Sequence, residues 1–299
     1  MGIKNLNKYL LKNCSYESIH KINLRELHNR TIVVDTSIYI YKYLEDGLLL
    51  ENFQLLIDKF NKYRIKPIFI FDGKPPKEKM LLLKQRKERK ILAESEYNDI
   101  LNKNEEQELS QYTLDRLNKL KKKFIRVTDE DIINLKALMN VNNVQIVDAL
   151  GESDELCVHY IKSKMAWACL SDDMDMFVYG CNRVLRELSL QNDNVFLYLL
   201  SQILFDLKMT AKSFRDILVL SGTDYNLLQE NDNICLHETL KWYKWYKVYS
   251  TKHRSQYIAK APDSFYDWLY KNTKYIKDYK ELLNVHSMFD ISHLMPLFN

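Results

Sequence analysis

The chain has 299 residues and carries 44 Lys and Arg against 40 Asp and Glu, a formal charge of only +4; this length suits one large α/β domain with an extension, or two smaller domains. Hydrophobic residues at 46% and aromatic residues at 12% exclude a disordered chain, and six Gly and five Pro exclude collagen-like or low-complexity sequence. The small net charge is a cancellation: eight Lys and Arg face two Glu between Lys74 and Lys90, six face no acid between Lys241 and Lys260, and the remainder is net acidic.

In chain order, the first thirteen residues, MGIKNLNKYLLKN, lack the apolar region of a signal peptide, and no apolar run approaches the roughly 18 residues that span a bilayer. An intracellular protein is expected, in nucleus, cytoplasm or, for a viral member, a viral factory. Thr31 to Val34 reads as a buried strand ending at Asp35, and Phe53, Leu56, Ile57 and Phe60 repeat with helical period. Pro67 to Phe71 is a second strand, ending at Asp72. Residues 77 to 123 contain no Gly or Pro and are rich in Lys, Glu, Leu, Gln and Arg, which predicts one long helix or a helical hairpin broken near Asn102 to Asn104. Ile132, Leu135, Leu138 and Met139 mark another helix, Val144 to Val147 a strand, and Gly151 to Ile161 a helix that begins beside Glu152 and Asp154. Trp167 to Leu170 is a further strand, followed by Ser171, Asp172, Asp173 and Asp175; Asp224 follows the apolar run Ile217 to Leu220 in the turn SGTDYN. Alternating strand and helix predicts a mostly parallel, twisted sheet with helices on both faces, and ligands then bind outside the carboxyl ends of the strands.

That placement gathers Asp35, Asp72, Glu152, Asp154, Asp173, Asp175 and Asp224 at one sheet edge. Singly, each is an ordinary cap, turn residue or solvated acid. Together they would repel one another strongly unless protonated or neutralised by cations. Oxygen ligands without His or Cys suit Mg²⁺ or Mn²⁺, and two such ions roughly 4 Å apart serve phosphodiester cleavage. The five cysteines (Cys14, Cys157, Cys169, Cys181, Cys235) have no CxxC spacing, so reduced thiols are expected rather than disulfides or zinc.

The blocks MGIKNL, IVVDTSIYIY, FIFDGKPPKEK, RVT, ALGESDELC, SDDMDMFVYG and SGTDYN occur in order, and over residues 1 to 226, three quarters of the chain, the sequence resembles the flap endonuclease family of structure-specific 5′ nucleases. The resemblance implies a PIN-like 5′ nuclease core over residues 1–230, with a helical arch at about 74–124, and an atypical C-terminal helical module over 231–299. It implies two Mg²⁺ ions, with Mn²⁺ as a substitute: Asp35, Asp72, Glu152 and Asp154 around one, Asp173, Asp175 and Asp224 serving the second, in part through water. It also implies that Lys79 and Arg86, at the foot of the arch, contact the scissile phosphate as catalytic residues. Tyr41 would stack on the neighbouring base, and Gly2 would belong to a buried amino-terminal segment beside the site. Lys79, Arg86 and Lys90 share a helical face, with Lys84 among the residues spreading charge around it; Lys84 and Lys90 are expected to touch substrate.

Two departures stand out. The family's E-x-E pair appears as Glu152-Ser153-Asp154. Aspartate keeps the charge with one methylene less reach, and it is preferred to Glu155, which one residue further along a helix points about 100° away. The glycine-rich helix-two-turn-helix that follows in the family, with its K⁺, has no counterpart, because no Gly occurs between Asn226 and Asn299. The Lys241 to Lys260 segment, KWYKWYKVYSTKHRSQYIAK, interleaves cations and rings; it reads either as a packed helix with a lysine face or as a replacement duplex grip through Lys241 and Lys244. The ending DISHLMPLFN carries no sliding-clamp motif. The expected activity is metal-dependent hydrolysis at 5′ flaps or single-strand/duplex junctions of DNA by a monomer that binds no membrane. The alternatives are a ribonuclease of the same fold and a non-catalytic nucleic-acid-binding descendant, the latter disfavoured by retention of all seven acids.

Overall fold

The computed structural model describes residues 2–103, 110–226, 234–256 (side chains as far as 252) and 264–291. Strands β1 (Ile19–Asn23), β2 (Thr31–Asp35), β3 (Lys66–Phe71), β4 (Gln145–Asp148), β5 (Ala168–Leu170), β6 (Arg183–Ser189) and β7 (Asn194–Leu199) form one sheet in the order β1-β7-β6-β5-β2-β3-β4. The pairs β2–β3, β2–β5, β3–β4 and β5–β6 are parallel. The unalternating apolar runs are explained by burial on both sides. Val33, Ile68, Ile70 and Cys169 face one layer, whereas Ile32, Val34, Phe69, Phe71, Ala168 and Leu170 face the other. The first layer contains α1 (Leu6–Asn13), α7 (Ser153–Lys162), α8 (Leu200–Leu207) and α9 (Ala211–Leu220); the second contains α2 (Thr36–Glu45), α3 (Leu49–Lys62) and α6 (Asp129–Val141). On α3, Leu49, Phe53, Leu56, Ile57 and Phe60 form the buried stripe.

The chain moves outward from β2 to β3 and β4, then returns to the other side of β2 to form β5. The crevice between β2 and β5 is therefore a topological switch point, where the carboxyl ends of adjacent strands diverge to leave a ligand site. Three strands were not anticipated from sequence. β6 and β7 form an antiparallel hairpin, and β1 adds antiparallel to β7; β1 mixes exposed and buried residues and β6 carries Arg183, Arg186 and Glu187, so neither shows the apolar run that marks the central strands, whereas β7 does hold such a run, Val195 to Leu199.

Residues 77 to 123 form a hairpin, α4 (Met80–Lys103) and α5 (Gln111–Lys123), after a short 3₁₀ turn at Lys77–Lys79; the expected break at Asn104 itself lies outside the described residues. Only Leu82 and Ala93 are buried along the whole of α4, so the hairpin stands off the core. Its two arms are tied by Arg116–Glu96, by Arg126–Glu94 just beyond α5, and by Lys90 Nζ, which donates to the Ile125 carbonyl at 2.8 Å. The C-terminal helices α10 (Leu236–Gln256), α11 (Phe265–Asn272) and α12 (Tyr279–Met288) pack against α9 and share its hydrophobic cluster. No helix among the described residues is long and apolar enough to cross a membrane.

The β6–β7 turn is fastened to α3 by Asp193, whose carboxylate meets Lys59 at 2.5 Å, accepts from the Tyr63 hydroxyl at 2.6 Å, and lies 3.3 Å from Lys62. Hydrogen bonds from Lys59 and then Tyr63 hold Asp193 down at about 2. A carboxylate lower in the folded than in the unfolded state stabilises the fold above its ordinary value near 4, and this contribution is lost as pH falls through about 2. The melting temperatures of wild type and Asp193→Asn should therefore differ most near neutrality and converge between about pH 4 and pH 2; a pH-independent difference would mean that packing rather than charge fastens the turn.

Candidate active site

Each central strand delivers an acid to the same edge. Asp35 ends β2 and is 2% exposed, with the Ser153 and Ser171 hydroxyls donating to its two oxygens at 3.0 and 2.8 Å. Asp72 follows β3 and accepts the first-turn amide of α7, Ser153 N, at 2.8 Å, so the positive end of a helix faces a carboxylate. The crossover from β5 to β6 carries Asp173 and Asp175, both buried, with the Asp175 amide donating to Asp173 Oδ1 at 2.9 Å. Asp35, Asp72, Glu152, Asp154, Asp173 and Asp224 line one cleft of about 100 Å³, together with Lys79, Arg86 and Tyr41. Asp175 sits behind Asp173 and does not line it; Glu155 does not line it either.

The cleft holds cations of its own. Lys79 Nζ donates to Glu152 Oε1 at 2.5 Å and stands 3.6 Å from Asp224, while Arg86 Nη2 donates to Asp224 at 2.9 Å. Burial alone would lower the Lys79 ammonium, but Glu152, Asp224 and Asp154 outweigh it and hold the group above its ordinary value. The acids shift in the same direction for a different reason. Burial, followed by the charges of Asp72 and Asp173, pushes Asp35 up to about 7. Burial is also the first cause for Asp154 and Asp175, followed by Asp35 and Asp173 respectively, and both lie well above the usual carboxylate range.

These residues fit a divalent cation by their chemistry. The donors are carboxylate oxygens, Asp175 Oδ1 is enclosed with no hydrogen-bond partner among the described residues, and a 2+ charge offsets both the burial and the repulsion that raise the acids. Among the described residues, no group of three or more His, Cys, Asp or Glu is already gathered in ligating geometry; the charge standing between Glu152 and Asp224 is that of Lys79.

Gly2 adopts a left-handed backbone (φ 77°), and a Cβ there would overlap Asp173 Oδ1 and stand 2.7 Å from Asp175 Oδ1. Tyr41 is 40% exposed with Lys90 Nζ 5.0 Å from its ring centroid. With Arg86 it borders both the acidic cleft and a cavity of about 900 Å³ under the helical hairpin, whose wall includes Lys87, Arg89, Lys90, Lys122, Lys123 and Arg126 against a single acid, Glu45. Lys84 lines neither space, and Lys241 and Lys244 are exposed on α10 without lining either. The segment in which a helix-two-turn-helix would begin, residues 227–233, lies outside the described residues, as do Lys260 and most of the terminal DISHLMPLFN stretch.

Sequence reasoning missed the groups that hold the acids. Ser153 and Ser171 bind Asp35, and the Tyr225 hydroxyl donates to Glu152 Oε2 at 2.5 Å while lying 3.0 Å from the Tyr179 hydroxyl. Their one signal was adjacency: Ser153 lies between two candidate ligands, and Tyr225 follows a third.

An α/β protein with a mixed, mostly parallel sheet and a carboxylate cleft beneath a cationic helical hairpin is the class that fold and site define. Sequence models of the XPG N-terminal domain and the XPG I-region match residues 1–93 and 143–224, together more than half of the chain. Flap endonuclease 1-B of Oryza sativa subsp. indica is 28% identical over 244 residues, covering 75% of this chain and 57% of the relative; flap endonuclease 1 of Brugia malayi is 31% identical over 245 residues, covering 75% and 62%. The chain thus spans about three fifths of the length of these curated relatives. Its fold is similar to that of the catalytic core of Rad2 in complex with DNA substrate, with a TM-score of 0.63 at 19% identity over 96% of this chain and 86% of the other. The chain belongs to the XPG-type flap endonuclease family.

Tyr225→Phe keeps the ring against its neighbours and removes only the hydroxyl that tethers Glu152. Folding should hold while Mn²⁺ affinity, measured by titration of free ion, falls about tenfold. Unchanged affinity would show that Glu152 needs no tether.

Proposed function

We propose that this chain is a divalent-metal-dependent nuclease that hydrolyses phosphodiesters where a 5′ single strand meets a DNA duplex, in replication, repair or recombination. The convergence of six acids, Lys79, Arg86 and Tyr41 on one cleft that opens into a cationic cavity under a helical hairpin carries this reading. The names of the relatives, flap endonuclease 1, and the DNA substrate in the Rad2 core support it.

In this reading Asp35, Asp72, Glu152 and Asp154 would hold one Mg²⁺ or Mn²⁺ ion, and Asp173 and Asp224 would serve a second, with Asp175, which does not line the cleft, acting through water. Such a pair, when bound, supplies Lewis acidity and activates water for phosphodiester hydrolysis. The chain's own groups position the substrate. Lys79 and Arg86, each paired with an acid, exchange that anionic partner for the phosphate oxygens and stabilise the charge that grows on them. Ser153 and Ser171 hold the Asp35 carboxylate in place. Tyr41 offers a ring face to the base next to the scissile phosphate, a contact worth roughly 1–3 kcal/mol. The single strand passes beneath the hairpin, with Lys90 contributing charge beside Tyr41, and Lys241 and Lys244 add phosphate contacts on the outer face of α10. The protein acts as a monomer in whichever intracellular compartment holds its DNA.

Purified protein with Mg²⁺ should cut a labelled 5′-flap duplex near the junction, and a matched RNA flap separates a deoxyribonuclease from a ribonuclease of the same fold. Asp173→Ala should abolish cleavage. Lys79→Ala and Arg86→Ala should each lower the rate by about 10²–10³ with a much smaller loss of binding. Absence of cleavage by wild type, or undiminished cleavage by Asp173→Ala, would overturn the reading.

A further inference from the structure

Two buried phenols stand behind the acidic cleft, and one of them touches an acid. Tyr225 directly follows Asp224 and tethers Glu152. Tyr179 comes from a different segment, just after the 3₁₀ turn Asp175–Phe177 in the crossover that carries Asp173 and Asp175, and is 1% exposed. Its hydroxyl lies 3.0 Å from that of Tyr225. The two phenols thus join the crossover acids to the turn at Asp224 and to Glu152.

The order of protons in this pair follows from valence. A phenol has one proton to give, and an ionised carboxylate has none. Glu152 is held as a carboxylate by the Lys79 ammonium at Oε1, so the 2.5 Å contact at its Oε2 uses the Tyr225 proton. The Tyr225 oxygen is then left to accept, which makes Tyr179 the donor across the 3.0 Å gap. Packing keeps the rings in this arrangement. Phe289, fully buried at the C-terminal end of α12, meets Tyr179 at 4.8 Å and 61° and Tyr225 at 5.4 Å and 73°, both edge-on. A hydroxyl that accepts a hydrogen bond becomes a better donor, so Tyr179 strengthens the tether on Glu152 without touching it. The tether matters most when Lys79 turns from Glu152 to a phosphate, because Oε1 then loses its partner and the Oε2 bond is what keeps the carboxylate from swinging away.

We propose that Tyr179 is a positioning residue of the nuclease site, holding Glu152 in place for a divalent ion by donating to Tyr225. The proposal rests on the metal-dependent reading above. It is tested by a double-mutant cycle in the full chain, with Tyr179→Phe, Tyr225→Phe and the double variant. The readouts are Mn²⁺ titration, with free ion followed by electron paramagnetic resonance, and the melting temperature without metal. Tyr179→Phe keeps the ring against Phe289 and removes one oxygen atom. It should lower Mn²⁺ affinity about threefold, less than the roughly tenfold loss for Tyr225→Phe, and the double variant should bind as Tyr225→Phe alone does. Wild-type affinity in Tyr179→Phe, whatever its melting temperature, would overturn the proposal and leave Tyr179 a packing residue. Losses that multiply in the double variant would also overturn it, because Tyr179 would then act by a route other than Tyr225. If Tyr225→Phe itself binds Mn²⁺ as wild type does, the tether fails and this proposal with it, while the metal-dependent reading stands. A wild type without measurable Mn²⁺ affinity would overturn that reading and the proposal together.

Discussion

The architecture turns on the mutual repulsion of carboxylates brought to one buried edge. Parallel strands necessarily end on the same side, so acids placed directly after β2, β3 and β5 converge without any long-range design. Left uncompensated, such a cluster would protonate or pull the edge apart. The surrounding elements act as compensation. The first-turn amide of α7 faces Asp72, two serine hydroxyls face Asp35, and Lys79 and Arg86 reach down from the foot of the hairpin to Glu152 and Asp224. The hairpin is therefore more than an appendage, since its first turns set two cations directly against the acids of the sheet edge. The same cations are those best placed to turn toward a phosphate.

The central strands were legible because both faces of the sheet are covered, leaving apolar runs with no polar alternation, and those of β2 and β3 stop at Asp35 and Asp72. The outer strands were not. IHKIN in β1 mixes exposed and buried residues at short range, and β6 carries Arg186 and Glu187 through a bulge at which Glu187 takes a left-handed conformation (φ 55°). No period-2 or apolar-run rule identifies such a segment. Among the basic residues at the foot of the hairpin, Lys79 and Arg86 reach the acids and Lys90 lines the adjoining cavity, whereas Lys84, equally expected at the substrate from sequence, lines neither space. The groups that hold the acids were illegible for a plainer reason. A serine or tyrosine beside an aspartate is common in any chain, and only the fold brings Ser171 to Asp35 or Tyr225 to Glu152.

The aromatic and lysine pattern of the C-terminal segment had two readings, and packing accounts for most of the rings. Trp242, Tyr246 and Tyr249 all lie within 6.3 Å of the Trp268 ring, and Tyr243 meets Phe265 edge-on at 5.3 Å, while Trp245 remains 57% exposed. The lysines are left on the outer face. The helices also have a connection to the chemistry that a peripheral grip would lack. Phe289, fully buried at the end of α12, packs against Tyr179 at 4.8 Å and Tyr225 at 5.4 Å, and Tyr225 in turn holds Glu152, the partner of Lys79. Removing the whole segment would thus withdraw the wall behind the acidic cleft together with any phosphate-binding surface, and a loss of activity would not distinguish the two. Charge-only changes at Lys241 and Lys244 touch the surface and spare the wall. The C-terminal helices are best understood as the back of the active site first, with their exposed lysines as a separate property of the same elements.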